Sequence, residues 1–252
     1  MRPTFQQMLI LARVPNLPTV WSNVLLGWVL GGGGCYGGLG AALAGGTLLY
    51  AGGCTLNDAC DARWDRVHKP GRLIPSGALR EGAVWTLGGV EMAVGLALFV
   101  LAGPEVWGWP VGLSLAILAY DWRHKETPWS VVVMGACRAL LVLSGAAVAG
   151  GQWSASALGA AGALWIYIIA LSLLARGEAR PGGGWLRVLR PGWSVGRWVG
   201  EMLAAIPLVD AALLGGLGGG VLGWSNRAGG AVAVSLALWP LCRLLQRKYA
   251  AT

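Results

Sequence analysis

Long apolar segments recur along the whole chain, and they restrict its fold more than any other feature. A helix needs roughly 20 apolar residues to cross the hydrocarbon core of a bilayer. With 56% apolar and only 12% charged residues, the composition lies far from that of soluble domains. The sequence therefore predicts an all-α, polytopic transmembrane helix bundle, with about eight spans in a single domain over residues 1–252. The apolar runs lie at 17–34, 38–56, 83–103, 106–120, 130–150, 156–175, 199–217 and 228–242.

Basic residues collect on one side of this predicted bundle. The formal net charge is +8, and all but two of the 19 Lys and Arg residues fall in the termini and in alternate loops on that side. The two exceptions are Arg138, within a span, and Arg227, on the far side. The positive-inside rule places the basic side, with both termini, in the cytoplasm. The basicity therefore predicts a multi-pass protein of the cell inner membrane, and no nucleic-acid partner.

The most unusual polar segment follows the second apolar run, where Asn57, Asp58, Asp61 and Asp65 stand close together. Carboxylates at the end of a membrane helix are costly unless they bind something. Because Asn57, Asp61 and Asp65 are spaced four residues apart, a helix places them on one face. Such oxygen ligands suit Mg²⁺, and Mg²⁺ suits a diphosphate. The segment therefore predicts a magnesium site, and the active-site cavity is expected to open on the cytoplasmic side.

The segment from Asn57 to Gly77 resembles the first signature of the UbiA superfamily of membrane prenyltransferases. The pattern N-D-x-x-D-x-x-x-D is matched position by position from Asn57 to Asp65. The continuation PGRLIPSG at 70–77 looks like the chlorophyll-synthase side of the superfamily. The opening RVPNLPTVWSN at 13–23, taken with the aspartate segment, looks like the EboC-type branch. The resemblance implies one UbiA-like transmembrane domain.

The resemblance also implies an enzyme that transfers a prenyl group from a polyprenyl diphosphate to an unidentified lipophilic acceptor within the bilayer. The cofactor would be Mg²⁺, and the diphosphate would leave an allylic cation for the acceptor to capture. Positive charge near the departing oxygens assists such a step, and Lys69 and Arg72 are placed to supply it. The implied metal ligands are Asn57, Asp58, Asp61 and Asp65, of which the three carboxylates would carry catalysis.

Further candidate substrate contacts stand at another predicted cytoplasmic helix end and inside one span. After the fourth apolar run, Tyr120, Arg123 and Lys125 are candidates for contact with the diphosphate or the acceptor. Topology alone is an equal explanation for the two basic residues. Arg138, inside the fifth predicted span, either faces the cavity or pairs with an acid of the bundle.

The second acidic site that the family carries after its sixth helix is depleted in this chain. The corresponding region holds one acid, Glu178, beside Arg176 and Arg180. In one interpretation the arginines replace the charge of a second metal ion, and Arg176 and Glu178 contact the substrate. In the other, the protein is a non-catalytic relative that binds or translocates an isoprenoid or another lipid-like precursor.

The family fold usually has nine helices, but no apolar run of about 20 residues lies between 175 and 197. We therefore expect one helix to be shortened or missing. A partner protein, a second copy of the chain or lipid would then close the open wall of the bundle.

A CDP-alcohol phosphotransferase is a further alternative, because Asp58, Asp61 and Asp65 superficially resemble the acidic helix motif of that class. The glycine that should follow the second aspartate, and two more spaced acids, are absent from this segment.

Overall fold

The computed structural model describes residues 4–103, 106–123, 127, 129–151, 153–178, 194–222 and 226–249. Their regular structure is helical throughout, with one 3-10 turn at Val14–Asn16. Each predicted apolar run coincides with helix, so the all-α prediction is confirmed for this part of the chain. The helices are α1 (Phe5–Leu11), α2 (Leu17–Leu30), α3 (Tyr36–Cys60), α4 (Ala62–His68), α5 (Glu81–Ala102), α6 (Gly108–Arg123), α7 (Ser130–Val148), α8 (Ala155–Glu178), α9 (Val195–Ala204), α10 (Ile206–Leu222) and α11 (Asn226–Lys248).

Six helical segments of the described chain are long and apolar enough to cross a membrane. Two further apolar helices, α2 and α6, have only 14 and 16 residues, fewer than the roughly 20 that a span requires. The polytopic bundle is thus confirmed, while the number of spans and the orientation of the termini stay predictions. The stretch 179–193, where we expected a shortened or missing helix, lies outside the described residues. The six segments are Tyr36–Cys60, Glu81–Ala102, Ser130–Val148, Ala155–Arg176, Val195–Leu217 and Ala228–Lys248.

The run at 199–217 is interrupted where the sequence predicted one continuous helix. Ala205 caps α9, and α10 begins at Ile206 with Pro207 in its first turn. Proline has no backbone N–H to donate, so it suits the first turn of a helix and costs a backbone hydrogen bond inside one. Pro207 therefore explains the break, which apolarity alone does not reveal.

Glycines let α3 and α5 pack backbone against backbone. A Cβ atom added at Gly95 would lie 2.8 Å from the backbone nitrogen of Leu49 and 2.9 Å from the carbonyl oxygen of Gly45. Burial of apolar side chains does not drive helices together within a bilayer, because the lipid is itself apolar. Small residues instead allow the close approach through which membrane helices pack. This contact fixes α3, which carries the aspartate segment.

Helices α2 and α7 lie at the centre of the bundle. They contribute to an apolar core with α3, α5 and α6, which contains Val24 and Leu141, and to a second core with α8, α10 and α11, which contains Leu26 and Val142. Polar side chains on the shared helices therefore lie in the interior, where each needs a partner.

Candidate functional site

The aspartate segment is helical almost without interruption across the junction of α3 and α4. The backbone N–H of Asp61 donates to the carbonyl of Asn57, and that of Asp65 to the carbonyl of Asp61, each at 2.9 Å. The predicted common face for Asn57, Asp61 and Asp65 is thereby confirmed. All three side chains are buried, so the face points into the protein.

The loop behind α4 folds back over this helix end. Ile74 and Leu79 are buried in a small apolar cluster with Leu11 of α1 and the α3–α4 junction. Gly77 adopts a φ of +76°, a conformation that glycine reaches without steric cost. The buried side chains and this turn bring Arg72 over the aspartates.

Three carboxylates converge on one nitrogen of Arg72. The Nη1 atom lies 2.7 Å from Asp65 Oδ2, 3.6 Å from Asp58 Oδ1 and 4.0 Å from Asp61 Oδ2. Only 2% of the Asp65 side chain is exposed, so its pair with Arg72 is shielded from solvent screening. The structure thus brings together the three carboxylates that the sequence placed at the centre of the site.

Arg13 is a site residue that the sequence analysis did not select. Its Nη2 atom donates to Asn57 Oδ1 and to Asp58 Oδ1, both at 3.1 Å. Its backbone is left-handed, with a φ of 44°, which is uncommon for a residue with a Cβ. Burial lowers the pKa of Arg13, whereas Cys54 and Asp58 raise it, and the net shift is upward. Arg13 therefore stays cationic, and its position within the family-like run at 13–23 was the available signal.

Asp121, at the end of α6, also joins the site without having been selected. Asn57 Nδ2 donates to its Oδ1 atom at 3.1 Å, so the amide of Asn57 lies between Arg13 and Asp121. An acid at the end of a neighbouring apolar helix was the available signal. We call the group Asn57, Asp58, Asp61, Asp65 and Asp121, with Arg13 and Arg72, the aspartate cluster.

An apolar cavity of about 220 Å³ extends from the aspartate cluster into the bundle between α2, α3, α6 and α7. Arg13, Asn57 and Asp121 line the end at the cluster, together with Tyr120. Arg138 lines it further inside, next to apolar side chains such as Leu141. A reactive group at the cluster would therefore border a compartment with few water-binding groups.

The other predicted substrate contacts take different positions. Lys69 is exposed, its Nζ lies 5.9 Å from the ring centroid of Trp64, and it forms no ion pair with a described carboxylate. Arg176 donates to Ser130 Oγ at 2.6 Å. Lys125 and the side chains of Arg123 and Glu178 lie outside the described residues, so their predicted contacts stay predictions.

The predicted ligands have the chemistry that Mg²⁺ requires, although the guanidinium of Arg72 lies among them. Within the described residues, no three His, Cys, Asp or Glu side chains are arranged to hold a metal ion as they stand, and Arg72 Nη1 occupies the point where the carboxylates converge. The ligand atoms are oxygens, which Mg²⁺ prefers. In addition, Asp65 Oδ1 is buried and accepts no hydrogen bond from a described residue, whereas buried carboxylate oxygens normally have a partner.

Several known proteins resemble this chain. A digeranylgeranylglyceryl phosphate synthase of Methanopyrus kandleri is 34% identical over 134 residues, 49% of this chain and 43% of that protein. The corresponding enzyme of Pyrococcus horikoshii is 30% identical over 77 residues, 31% of this chain and 28% of that protein. The matches thus span less than half the length of these relatives.

The fold is shared with a solved structure across nearly the whole chain. A UbiA homolog from Archaeoglobus fulgidus, bound to DMAPP and Mg²⁺, superposes with a TM-score of 0.60 at 12% identity, covering 96% of this chain and 87% of that one. The model of the UbiA prenyltransferase family matches residues 16–252, which include the whole aspartate cluster except Arg13. This chain therefore belongs to the UbiA prenyltransferase family.

Proposed function

We propose that this protein transfers the prenyl group of an allylic prenyl diphosphate to an acceptor within the membrane, with Mg²⁺ as its cofactor. The observation that carries the proposal is the convergence of Asp58, Asp61 and Asp65 on Arg72, in the same cluster as Asn57, which lines an apolar cavity. Family membership supports the reaction class. The Archaeoglobus fulgidus homolog bound to DMAPP and Mg²⁺ supports the class of donor, because DMAPP is an allylic prenyl diphosphate.

The residues of the aspartate cluster have distinct roles in this proposal. Asn57, Asp58, Asp61 and Asp65 would hold Mg²⁺, which when bound would neutralise charge on the departing diphosphate. Arg13 and Arg72 each place a guanidinium nitrogen near Asp58 Oδ1, at 3.1 and 3.6 Å. Guanidinium groups bind phosphate oxygens through charge-assisted hydrogen bonds, so both arginines would bind the diphosphate.

The cavity would protect the reacting carbon. Its apolar walls exclude water, which would otherwise capture an allylic cation. Tyr120 lines the cavity beside Asp121, and the face of an aromatic ring attracts a cation. Tyr120 is therefore the side chain that we assign to stabilise charge on the prenyl group.

The acceptor is the second substrate of the proposed reaction. The relatives are named digeranylgeranylglyceryl phosphate synthases, which makes a glyceryl phosphate lipid one acceptor to test. The resemblance of residues 13–23 to the EboC-type branch suggests that other lipophilic acceptors be tested with it.

Release of diphosphate by the purified protein in lipid tests the proposal. Geranyl, farnesyl, geranylgeranyl and phytyl diphosphates would be offered with extracted membrane lipids, with Mg²⁺ and then with EDTA. We expect release that needs Mg²⁺ and is abolished by Asp61→Ala. Glu81→Ala is the matched control, because Glu81 forms an exposed pair with Arg66 away from the cluster. Equal release by wild type and Asp61→Ala would refute the proposal.

A second candidate function is binding or transport of an isoprenoid without catalysis. The depleted acidic site near the end of α8 favours it. Glu178 is the one acid between 171 and 180, and Arg176 donates to the neutral Ser130 hydroxyl. The same assay separates the two functions. Mg²⁺-dependent binding of a prenyl diphosphate with no release would establish the binding protein, whereas turnover would exclude it.

A further inference from the structure

A charged side chain, Arg138, lies within the membrane-spanning part of the bundle and lines the cavity. It belongs to α7, and its Nη1 atom donates to Asn23 Oδ1 of α2 at 3.0 Å. Its Cζ atom lies 5.9 Å from the ring centroid of Tyr50. Charged residues at such depth are costly and usually have a function, so the partners of Arg138 are informative.

Asn23 is held in one orientation by a buried acid of a third helix. Its Nδ2 atom donates to Asp210 Oδ2 of α10 at 2.8 Å, and both side chains are completely buried. An amide has one donor end and one acceptor end. Because Asp210 takes the donor end, the oxygen of Asn23 faces Arg138. Asn23 and Asp210 are therefore positioning residues for the guanidinium.

This arrangement leaves hydrogen-bonding capacity on Arg138. Arginine carries five N–H donors, and the contact with Asn23 uses one of them. No described carboxylate lies within 4.0 Å of the Arg138 nitrogens. The Asp and Arg residues that line the cavity are Arg13, Asp121 and Arg138, so the lining carries more positive than negative charge.

The diphosphate of the prenyl donor would lie too far from Arg138 to be its ligand. Arg138 lies beside Tyr50, whereas the aspartate cluster begins at Asn57, two turns further along the same helix. At 1.5 Å per residue, these two levels of α3 are roughly 10 Å apart. The diphosphate would be held at the level of Asn57, and a compact group of another molecule can occupy the level of Arg138.

From this geometry we propose that Arg138 recognises an anionic oxygen group, a carboxylate or a phosphate, on the acceptor. The inference rests on the proposed transfer reaction and names the class of its second substrate. Arg138 selects the acceptor and orients it, with its anionic end inside the cavity and its nucleophile toward the aspartate cluster.

Binding of unreactive probe pairs tests this assignment independently of turnover. The pairs are oleate with oleyl alcohol, and 1-oleoylglycerol 3-phosphate with 1-oleoylglycerol, titrated onto the purified protein and followed by native mass spectrometry. In wild type we expect the anionic member of at least one pair to bind about tenfold more tightly or better, as a charge-assisted hydrogen bond implies. The pair that shows the preference distinguishes a carboxylate from a phosphate.

Three variants assign the preference to Arg138. Arg138→Gln should abolish it, and Arg138→Lys should retain part of it, because lysine keeps the charge but not the fork of donors. Asp210→Asn should weaken it, because Asn23 can then turn its amide. Arg243→Gln is the matched control, since it removes the same charge from a pair with Glu201 at 3.0 Å and should leave the preference intact.

Several results would overturn the inference. One is equal binding of both members of each pair to wild type, and another is an unchanged preference in Arg138→Gln. A third is saturable binding of inorganic phosphate with the same affinity as the anionic lipid. Should Arg138→Gln fail to fold, an unchanged preference in both Arg138→Lys and Asp210→Asn would contradict it.

Binding of a non-hydrolysable farnesyl thiodiphosphate with Mg²⁺ reports on the donor site separately, and we expect it to be unchanged in Arg138→Gln. If wild type did not bind the farnesyl thiodiphosphate, the proposed function would be refuted, but the preference for anionic probes could still be measured.

Discussion

Arg72 Nη1 lies 2.7 Å from Asp65 Oδ2, and this contact ties the loop behind α4 to the end of the helix. The two residues are seven positions apart, and the carboxylate is almost completely buried. A buried carboxylate is unfavourable without a compensating cation. The arginine thus supplies, within the protein itself, the positive charge that the carboxylates require.

Replacing Arg72 with Gln should destabilise the protein and make its stability depend on Mg²⁺. Removing one partner of a buried ion pair leaves an uncompensated charge and costs about 3–5 kcal/mol. A bound Mg²⁺ would neutralise the same carboxylates, so the melting temperature of Arg72→Gln should rise more with Mg²⁺ than that of wild type. Size-exclusion chromatography after stepwise heating, with Mg²⁺ or EDTA, measures both effects.

The control for this prediction is Arg66→Gln in the same basic segment. Arg66 pairs with Glu81 at 2.7 Å, but 52% of the arginine side chain and 37% of the glutamate side chain are exposed. Such surface pairs contribute only about 0–1 kcal/mol, so the melting temperature should barely change and should respond to Mg²⁺ no more than that of wild type. An equal Mg²⁺ response in both variants would show that the ion does not act through the aspartates.

Asn57→Ala should raise the Mg²⁺ concentration needed for diphosphate release. Asn57 is one of the proposed metal ligands and also bonds Arg13 and Asp121, so its loss removes a ligand and frees both neighbours to reorient. Losing such supporting contacts typically weakens metal affinity by about 10–100-fold. Titration of release against Mg²⁺ measures the shift. Thr55→Ala is the control, because its hydroxyl bonds Glu91 on α5; an unchanged Mg²⁺ requirement in Asn57→Ala would exclude Asn57 from the metal site.

The common face of Asn57, Asp61 and Asp65 could be predicted from the sequence, because helical periodicity alone determines it. The sequence could not predict that Arg72, and not Lys69, would reach the carboxylates. Both are basic residues just behind the aspartates, but the course of the loop depends on burial of Ile74 and Leu79 against α1. Only the folded loop shows that Arg72 reaches the carboxylates while Lys69 lies over Trp64.

The arginine and the acid that join Asn57 illustrate a second limit of sequence analysis. Arg13 and Asp121 lie 44 and 64 positions from Asn57 along the chain. Local patterns carry no information on contacts of such separation, which depend on how α1, α3 and α6 pack. Similarly, Arg138 and Asp210 each lie within an apolar run of the sequence, but only the packing of α2 between α7 and α10 shows that Asn23 connects them.

Arg13→Gln should weaken binding of the prenyl diphosphate more than it slows the chemical step. Hydrogen bonds to charged groups contribute about 1.5–3 kcal/mol, so we expect the KM for the donor to rise by about 10–100-fold. Arg13→Lys should recover part of this loss, since it keeps the charge without the planar fork. Steady-state diphosphate release measures KM and kcat separately, with Arg66→Gln as the charge control. A KM equal to that of wild type would show that Arg13 only supports the fold.

Two glycines of α5 should respond in opposite ways to substitution by alanine. At Gly95 an added Cβ would lie 2.8 Å from the Leu49 backbone nitrogen, so Gly95→Ala must push α3 and α5 apart. Overpacking of this kind typically costs about 1–3 kcal/mol, and the displacement of α3 should also lower activity at the aspartate cluster. A Cβ at Gly89 meets nothing within 4 Å, so Gly89→Ala should be neutral or stabilise the helix by up to about 1 kcal/mol. Melting temperature and diphosphate release, measured in parallel, test both, and equal behaviour of the two variants would show that the α3–α5 contact does not position the site.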